Sequence, residues 1–394
     1  MSSTGAGRAW REVFPVFLRL GLTSFGGPVA HLGYFRAEFV GKRRWLDETA
    51  YSDILALCQF LPGPASSQVG MSLGLMRAGL WGAFAAWLGF TAPSAIVMIL
   101  FGYSVAVLRD AAGSAWLHGL KIVAVAVVAQ AVLAMARVLC PDLARAAFAL
   151  AAAALMLFVP SALAQLGVIA LGGLIGWLLL PGASRDSATL ALRLGSSSCV
   201  ALLLFFALLA GLPLLAYLTG DHSVALLDRF YRAGALVFGG GHVVLPLLQA
   251  AVVPPGWVGN DDFLSGYGAA QAVPGPLFTF AAYLGTVMRL APNGWLGGLL
   301  CLVAIFLPAF LLVVGALPLW SRLRGAAWAQ SALAGINAAM VGLLLAALYN
   351  LVWTSAIFTL RDFIVALAAF AALLLRAPPW LVVIAGTAIT ALIY

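Results

Sequence analysis

Charge is what this chain has least of. Only 9% of its 394 residues are Asp, Glu, Lys or Arg, whereas 64% are hydrophobic; a soluble domain carries roughly 25% charged residues. That balance excludes a water-soluble fold and reads as an all-α polytopic membrane protein, its apolar segments following one another with short polar joints. Cysteine and histidine are equally sparse. Cys58, Cys140, Cys199 and Cys301 show no metal-ligand spacing, and His31, His118, His222 and His242 form no i, i+4 pair, so neither a metal nor any other cofactor is expected. A Walker loop, a catalytic carboxylate pair and a metal-binding His-Glu helix are all missing, which argues against an ATP-driven pump and a membrane hydrolase. The polar stretch Met1 to Gly7 lacks the apolar core of a signal peptide and is expected to remain as a short tail.

The net charge of +8 does not mark a nucleic-acid partner. The cations sit in joints and at segment ends, as the positive-inside rule anticipates. Arg137, Arg145, Arg185, Arg193, Arg322, Arg324 and Arg376 read as boundary charges of this kind, and Trp10, Trp81, Trp116 and Trp320 as interfacial anchors. Thirteen apolar segments are legible, at 13–33, 51–76, 80–108, 116–139, 143–160, 163–181, 195–219, 228–252, 263–289, 294–320, 328–353, 361–376 and 379–394. The longest joint, 34–50, reads as a charged loop in which Arg36, Lys42, Arg43 and Arg44 face Glu38, Asp47 and Glu48.

An internal duplication organises these segments. Phe17, Arg19, Gly21, Phe25, Gly26 and Gly27 recur 213 residues later as Phe230, Arg232, Gly234, Phe238, Gly239 and Gly240. At an offset of 212, Trp45, Gln59, Pro62, Gly63 and Pro64 recur as Trp257, Gln271, Pro274, Gly275 and Pro276. Chance alignment of apolar tracts would not match Arg, Gln, Trp and Pro-Gly-Pro together. The expected division is a first repeat over 1–181, a linker with one extra crossing over 182–227, and a second repeat over 228–394. An odd extra crossing would invert the second repeat, and the joints agree in part: 34–50 carries Lys42, Arg43 and Arg44, whereas its counterpart 253–262 carries only Asp261 and Asp262. A re-entrant Pro-Gly-Pro segment would alter that count.

Both Gly-Gly and Pro-Gly-Pro interrupt helix inside apolar segments. Backbone groups freed there must be satisfied by protein or trapped water, and duplicated broken helices that converge near the midplane are a transporter design. Half-helix N-termini at such breaks present N–H groups and positive dipole, which favours an anion as substrate. For the glycines the bland alternative is close helix packing. Arg19 and Arg232 are candidates to pair with a tetrahedral oxyanion, or simply snorkel to the interface. Gln59 and Gln271 offer amide donors, or helix-to-helix hydrogen bonds. Ser24, Ser66, Ser67 and Thr279 offer hydroxyls, and His242 either donates, titrates or is structural. Lys121, the counterpart of Asn337, either faces the anion path or reaches the nearby edge. Asp53 is the candidate proton carrier, with a favourable helix-start position as its alternative role.

These duplicated motifs resemble the chromate ion transporter family in its two-domain form. The likeness rests on Phe17 to Pro28, on the Gln-x-x-Pro-Gly-Pro ending at Pro64, and on their second copies. The resemblance implies a multi-pass bacterial inner-membrane protein that exports chromate, driven by membrane potential or proton gradient, with sulfate-like oxyanions handled by related members. It places the family's signature residues on Arg19, Phe25, Gly26, Gly27, Pro62, Gly63 and Pro64, and on Arg232, Phe238, Gly239, Gly240, Pro274, Gly275 and Pro276. The second copy departs in having Gly241 and His242 where Pro28 and Val29 stand, which leaves open whether both halves contact substrate equally. The expected partners are an oxyanion and the bilayer, with a homodimer left open. Sulfate exchange and a passive anion channel stay as alternatives.

Overall fold

The computed structural model describes residues 3–112, 115–181, 195–319 and 326–394. Arg185, Arg193, Trp320, Arg322 and Arg324 lie outside the described residues. Within them every regular element is helical. The first half comprises α1 (Ser3–Thr23), α2 (Gly27–Phe35), α3 (Glu48–Phe60), α4 (Ala65–Ala112), α5 (Ala115–Leu139), α6 (Leu143–Phe158) and α7 (Ala162–Leu179). After α8 (Ser196–Thr219) come α9 (His222–Ala235), α10 (Val244–Val252), α11 (Asn260–Ala270), α12 (Phe280–Val287), α13 (Gly294–Ala316), α14 (Ala327–Ala347), α15 (Leu360–Leu374) and α16 (Pro379–Ile393). The second set begins at His222.

The apolar segments 13–33, 51–76, 228–252 and 263–289 are each split, and every split falls on a Gly-Gly or Pro-Gly-Pro motif. One joint differs from expectation. Instead of a loop, α2 continues into a π-helical stretch, Arg36–Lys42, that buries Glu38 and Phe39. The reason is local charge pairing: Glu38 accepts hydrogen bonds from Arg19 at 2.5 Å and from Arg43 at 2.7 Å, so this part of the joint folds inward rather than into solvent. Other scarce carboxylates go to helix starts. Asp47, Asp142 and Asp221 accept N–H bonds at the N-termini of α3, α6 and α9, each satisfying a donor that the helix itself cannot.

Helix α4 is two limbs, not one. Ala78 (φ −143°, ψ 24°) and Gly79 (φ 63°, ψ −154°) leave the helical region. A straight helix would hold Gly74 and Gly82 ~12 Å apart, yet a Cβ on Gly74 would lie 2.2 Å from the Gly82 carbonyl oxygen. The limbs therefore fold back and touch along glycine. The second half repeats the contact between α12 and α13, where a Cβ on Gly285 would lie 2.2 Å from the Gly297 oxygen.

The halves interlock. Helix α14 of the second half packs between α6 and α7 of the first, while α5 of the first packs against α15 and α16 of the second. Matching glycines permit both approaches. A Cβ at Gly335 on α14 would meet the Gly172 carbonyl oxygen of α7 at 2.0 Å, and one at Gly119 on α5 would meet Thr387 of α16 at 2.8 Å. These small residues let backbones approach where lipid supplies no hydrophobic drive between helices.

Six helices are long and apolar enough to cross a bilayer: Ala65–Val105, Ala115–Leu139, Ala162–Leu179, Ser196–Thr219, Gly294–Ala316 and Ala327–Ala356. The first of these is the folded α4. Helix α8 shows most plainly what surrounds the molecule. Its mean hydropathy is 2.7, yet only 11% of its most apolar window is buried inside the protein, and Leu203 and Tyr217 are 71% and 85% exposed. A surface of that kind is stable against lipid and not against water.

The interlock yields a prediction. Gly335→Ala places a methyl against fixed backbone, an overpacking that costs about 1–3 kcal/mol. It should lower the thermal midpoint of the detergent-purified protein by several degrees. Gly167→Ala, on the facing helix α7 but with nothing within 4 Å of the added Cβ, should not.

Candidate functional site

The four helix breaks meet. Helix α1 ends at Thr23 and α2 begins at Gly27, with Gly26 (φ 99°) and Gly27 (φ 76°) in the left-handed region. Their counterparts Gly239 (φ 77°) and Gly240 (φ 147°) connect α9 to the 3-10 turn Gly241–Val243. In the Pro-Gly-Pro breaks, Gly63 and Gly275 take φ 124° and 97°. Side chains other than glycine rarely adopt these angles, so the glycines are required by the path of the chain.

Each Pro-Gly-Pro turn is tied to the Gly-Gly break of the other half. The Gly63 N–H donates to the Val237 carbonyl at 2.7 Å, and the Gly275 N–H donates to the Ser24 carbonyl at 3.0 Å. Ser24 and Val237 are 213 residues apart, and Gly63 and Gly275 are 212 apart. The two bonds are thus one bond repeated, and they satisfy backbone groups that the breaks release. Around the first junction, buried His31 sets its Nε2 3.2 Å from the Ser24 carbonyl and its Nδ1 3.4 Å from Ser66 Oγ, while Gln68 Nε2 donates to the Pro62 carbonyl at 2.7 Å. Neither His31 nor Gln68 has a like residue at the corresponding place in the second half.

Two cavities flank the junction. The larger, about 550 Å³, is bounded by both Gly-Gly breaks, by Gln59 and Gly63, by Gln130 and Met135 of α5, and by Gln330 and Asn337 of α14. The smaller, about 240 Å³, is bounded by Gly26, Gly27 and Pro28, by His242, Gln271 and Gly275, by Gln130, and by Arg376 and Pro379 at the turn from α15 to α16. They share Gly26, Gly27, Pro28, Gln130 and His242. Each has room for a small oxyanion.

The walls are largely apolar and carry a few polar side chains, Gln59, Gln130, His242, Gln271, Gln330, Asn337 and Arg376. Among the described residues no carboxylate lines either cavity. His242 Nδ1 lies 2.7 Å from the Tyr267 hydroxyl, which fixes the ring where both cavities meet. Gln271 Nε2 and Asn337 Oδ1 are buried without a hydrogen-bond partner among the described residues. The start of α2, with Pro28 in its first turn, brings unpaired N–H groups and positive dipole to the shared wall.

Of the residues singled out in the sequence, Gly26, Gly27, Gln59, Gly63, Gly239, Gly240, Gly241, His242, Gln271 and Gly275 line the cavities. Pro62, Pro64, Pro274 and Pro276 flank the lining glycines without lining themselves. Ser24 contributes its carbonyl to the junction; Ser67 is buried. Thr279 Oγ1 donates to the Pro276 carbonyl at 2.8 Å. Phe25 lies against Trp380, ring centroids 6.1 Å apart, and Phe238 packs on the core. Asp53 is buried in α3, ~13 Å of helix before the first Pro-Gly-Pro turn, and borders neither cavity.

The duplicated arginines lie elsewhere. Arg19 pairs with Glu38 and Arg232 with Asp228, and neither borders a cavity. Lys121, for which two roles were open, pairs with Asp261 at 2.9 Å. Sequence reasoning passed over Gln130 and Gln330, and it read Arg376 as a boundary charge. A lone amide inside the apolar run Val127 to Val132 was the available signal for Gln130.

With this geometry in place, likeness to known proteins is informative. The chromate transporter family model matches twice, over residues 11–177 and 224–391. A chromate transport protein of Pseudomonas aeruginosa is 30% identical over 315 residues, covering 77% of this chain and 71% of that protein. A chromate transport protein of Cupriavidus metallidurans is 26% identical across 84% of this chain and 80% of its own. An uncharacterized transporter of Methanocaldococcus jannaschii is 26% identical across 85% and 82%. No solved structure matches. The fold and its duplicated breaks define a multi-pass membrane transporter. The chain belongs to the chromate transporter family.

The arginine partner carries its own prediction. Burial pushes the Glu38 carboxyl up, but the Arg43 hydrogen bond and the charges of Arg19 and Lys42 outweigh it and hold its pKa below the ordinary 4.5. A depressed carboxylate adds stability that is present above the unfolded pKa and is lost as pH falls through the folded one. Thermal melts of Glu38→Gln should therefore show a lower midpoint at pH 7, with the gap to the parent closing below about pH 4.5.

Proposed function

We propose that this protein is a secondary transporter that exports chromate from the cytoplasm across the bacterial inner membrane and so confers chromate resistance. The observation that carries this reading is the pair of cavities sharing one wall at the crossed helix breaks, made of the start of α2, Gln130 and His242, with no carboxylate lining them among the described residues. Backbone dipoles, amides and an imidazole offset a divalent oxyanion without metal. The family supports the substrate, and relatives named as chromate transport proteins support it further.

The two cavities suit alternating access. Gly26 to Pro28, Gln130 and His242 border both, so a substrate held by that wall passes from one cavity to the other by a change in which of them is open. The crossed hydrogen bonds are the hinge contacts that such a change would work against. We take the repeats as inverted about this midplane site, with α8 as the extra crossing between the domains 1–181 and 228–394. The membrane potential favours departure of an anion from a negative interior by about 2.3 kcal/mol per charge per 100 mV. A lining without carboxylates favours that electrical drive over proton exchange; Asp53, buried more than a turn inside α3, sits neither at the cavities nor at the helix start expected as its alternative place. The donors read shape and charge rather than the central atom, so sulfate is the competing substrate.

Everted membrane vesicles test the reading. Energised vesicles containing the protein should accumulate labelled chromate, and Gln130→Ala should cut the initial rate about tenfold or more, as loss of a hydrogen bond to a charged group predicts. Uptake that ignores energisation would replace the transporter by a channel. Uptake abolished by low sulfate would make sulfate the physiological cargo.

A further inference from the structure

Among the described residues, Arg376 is the one arginine or lysine that lines either cavity. The other arginines that the sequence placed near the breaks are neutralised, Arg19 by Glu38 and Arg232 by Asp228. No acidic side chain pairs with Arg376 among the described residues. It is exposed, and so stands at the mouth of the smaller cavity rather than at its base.

Its backbone is unusual too. Arg376 has φ 66° and sits just past the C-cap of α15, where its N–H donates to the Leu373 carbonyl and that of Ala377 to the Ala372 carbonyl, both at 3.0 Å. This is the helix-ending turn that glycine normally occupies, because a left-handed residue with a Cβ is strained there. Arginine in place of glycine weakens the turn and brings a guanidinium to the cavity. Non-glycine residues in such conformations concentrate at functional sites. The turn is held over the site by α15 and α16, both packed on α5, and by Trp380 against Phe25 of the first Gly-Gly break. Nothing in the first half corresponds: the matching positions hold Pro160 and Ser161.

We propose that Arg376 draws the substrate anion into the smaller cavity and sets the preference for divalent over monovalent tetrahedral oxyanions. This rests on the transporter reading given above. A guanidinium offers a planar pair of donors and a full charge, and its attraction doubles with the charge of the ligand, whereas the neutral amides of the lining discriminate far less.

The left-handed backbone supplies a clean test. Arg376→Gly removes the guanidinium and installs the residue the turn prefers, so its thermal midpoint in detergent should equal or exceed that of the parent. Arg376→Lys keeps the charge. In proteoliposomes, Arg376→Gly should raise the KM for chromate about tenfold at low salt with little change in maximal rate. The ratio of chromate to perchlorate transport should fall with it, the salt dependence of KM should flatten, and Arg376→Lys should recover most of the loss. A stable Arg376→Gly protein with parental KM and parental selectivity would overturn the proposal. A parent protein that binds neither chromate nor sulfate would overturn the substrate reading itself, and this inference with it.

Discussion

Two backbone hydrogen bonds hold the centre of this molecule: Gly63 N–H to the Val237 carbonyl, and Gly275 N–H to the Ser24 carbonyl. A helix that breaks inside lipid exposes groups with no water to take them, at several kcal/mol for each one left unmet. Here the two kinds of break satisfy one another across the halves. Neither half completes its own. The arrangement explains why the motifs recur as a set, since a Pro-Gly-Pro turn without the opposite Gly-Gly break would leave a donor and an acceptor stranded.

The same exchange governs the helices further out. Because α14 is clasped by α6 and α7, and α5 by α15 and α16, the cavities are walled on each side by helices whose positions the other half dictates. Gln130 reaches both cavities because α5 belongs to the first half in sequence and to the second in packing. Glycine makes these crossings close enough to work, at Gly335 against Gly172 and at Gly119 against Thr387. The two cavities thus lie at the seam of two interlocked units.

Much of this was legible in the residues. The oily composition declared the bilayer, the offsets of 212 and 213 declared the duplication, and the glycines and prolines marked each helix break where the structure has it. What remained hidden was pairing. Arg19 looked available because Glu38 lay in what read as a solvated joint; the π-helical continuation of α2 turns that carboxylate inward. Arg232 has Asp228 one turn away on its own helix, a pair visible in principle from its i, i+4 spacing. The crossing of the halves left no trace in one sequence, because hydrophobic periodicity says which face is apolar and not which helix will cover it. Arg376 was hidden by its position. At a segment end a cation reads as an interfacial charge, and only a left-handed backbone beside a cavity gives it another meaning.

Symmetry supplies the frame and asymmetry the chemistry. The duplicated residues, Gly26 with Gly239, Gly27 with Gly240 and Gly63 with Gly275, shape the backbone and line the cavities in both halves. The groups that distinguish the cavities have no twin. His242 stands where the first half has Val29, Gly241 replaces Pro28, and Arg376 answers to Pro160 or Ser161. His31 and Gln68 brace the first junction alone. A strictly two-fold site would present the same free energy to an anion arriving from either side. Unequal side chains on the two sides of the shared wall, Gln271 and Arg376 on one and Gln59, Gln330 and Asn337 on the other, make the two cavities chemically distinct although the backbone that shapes them is duplicated.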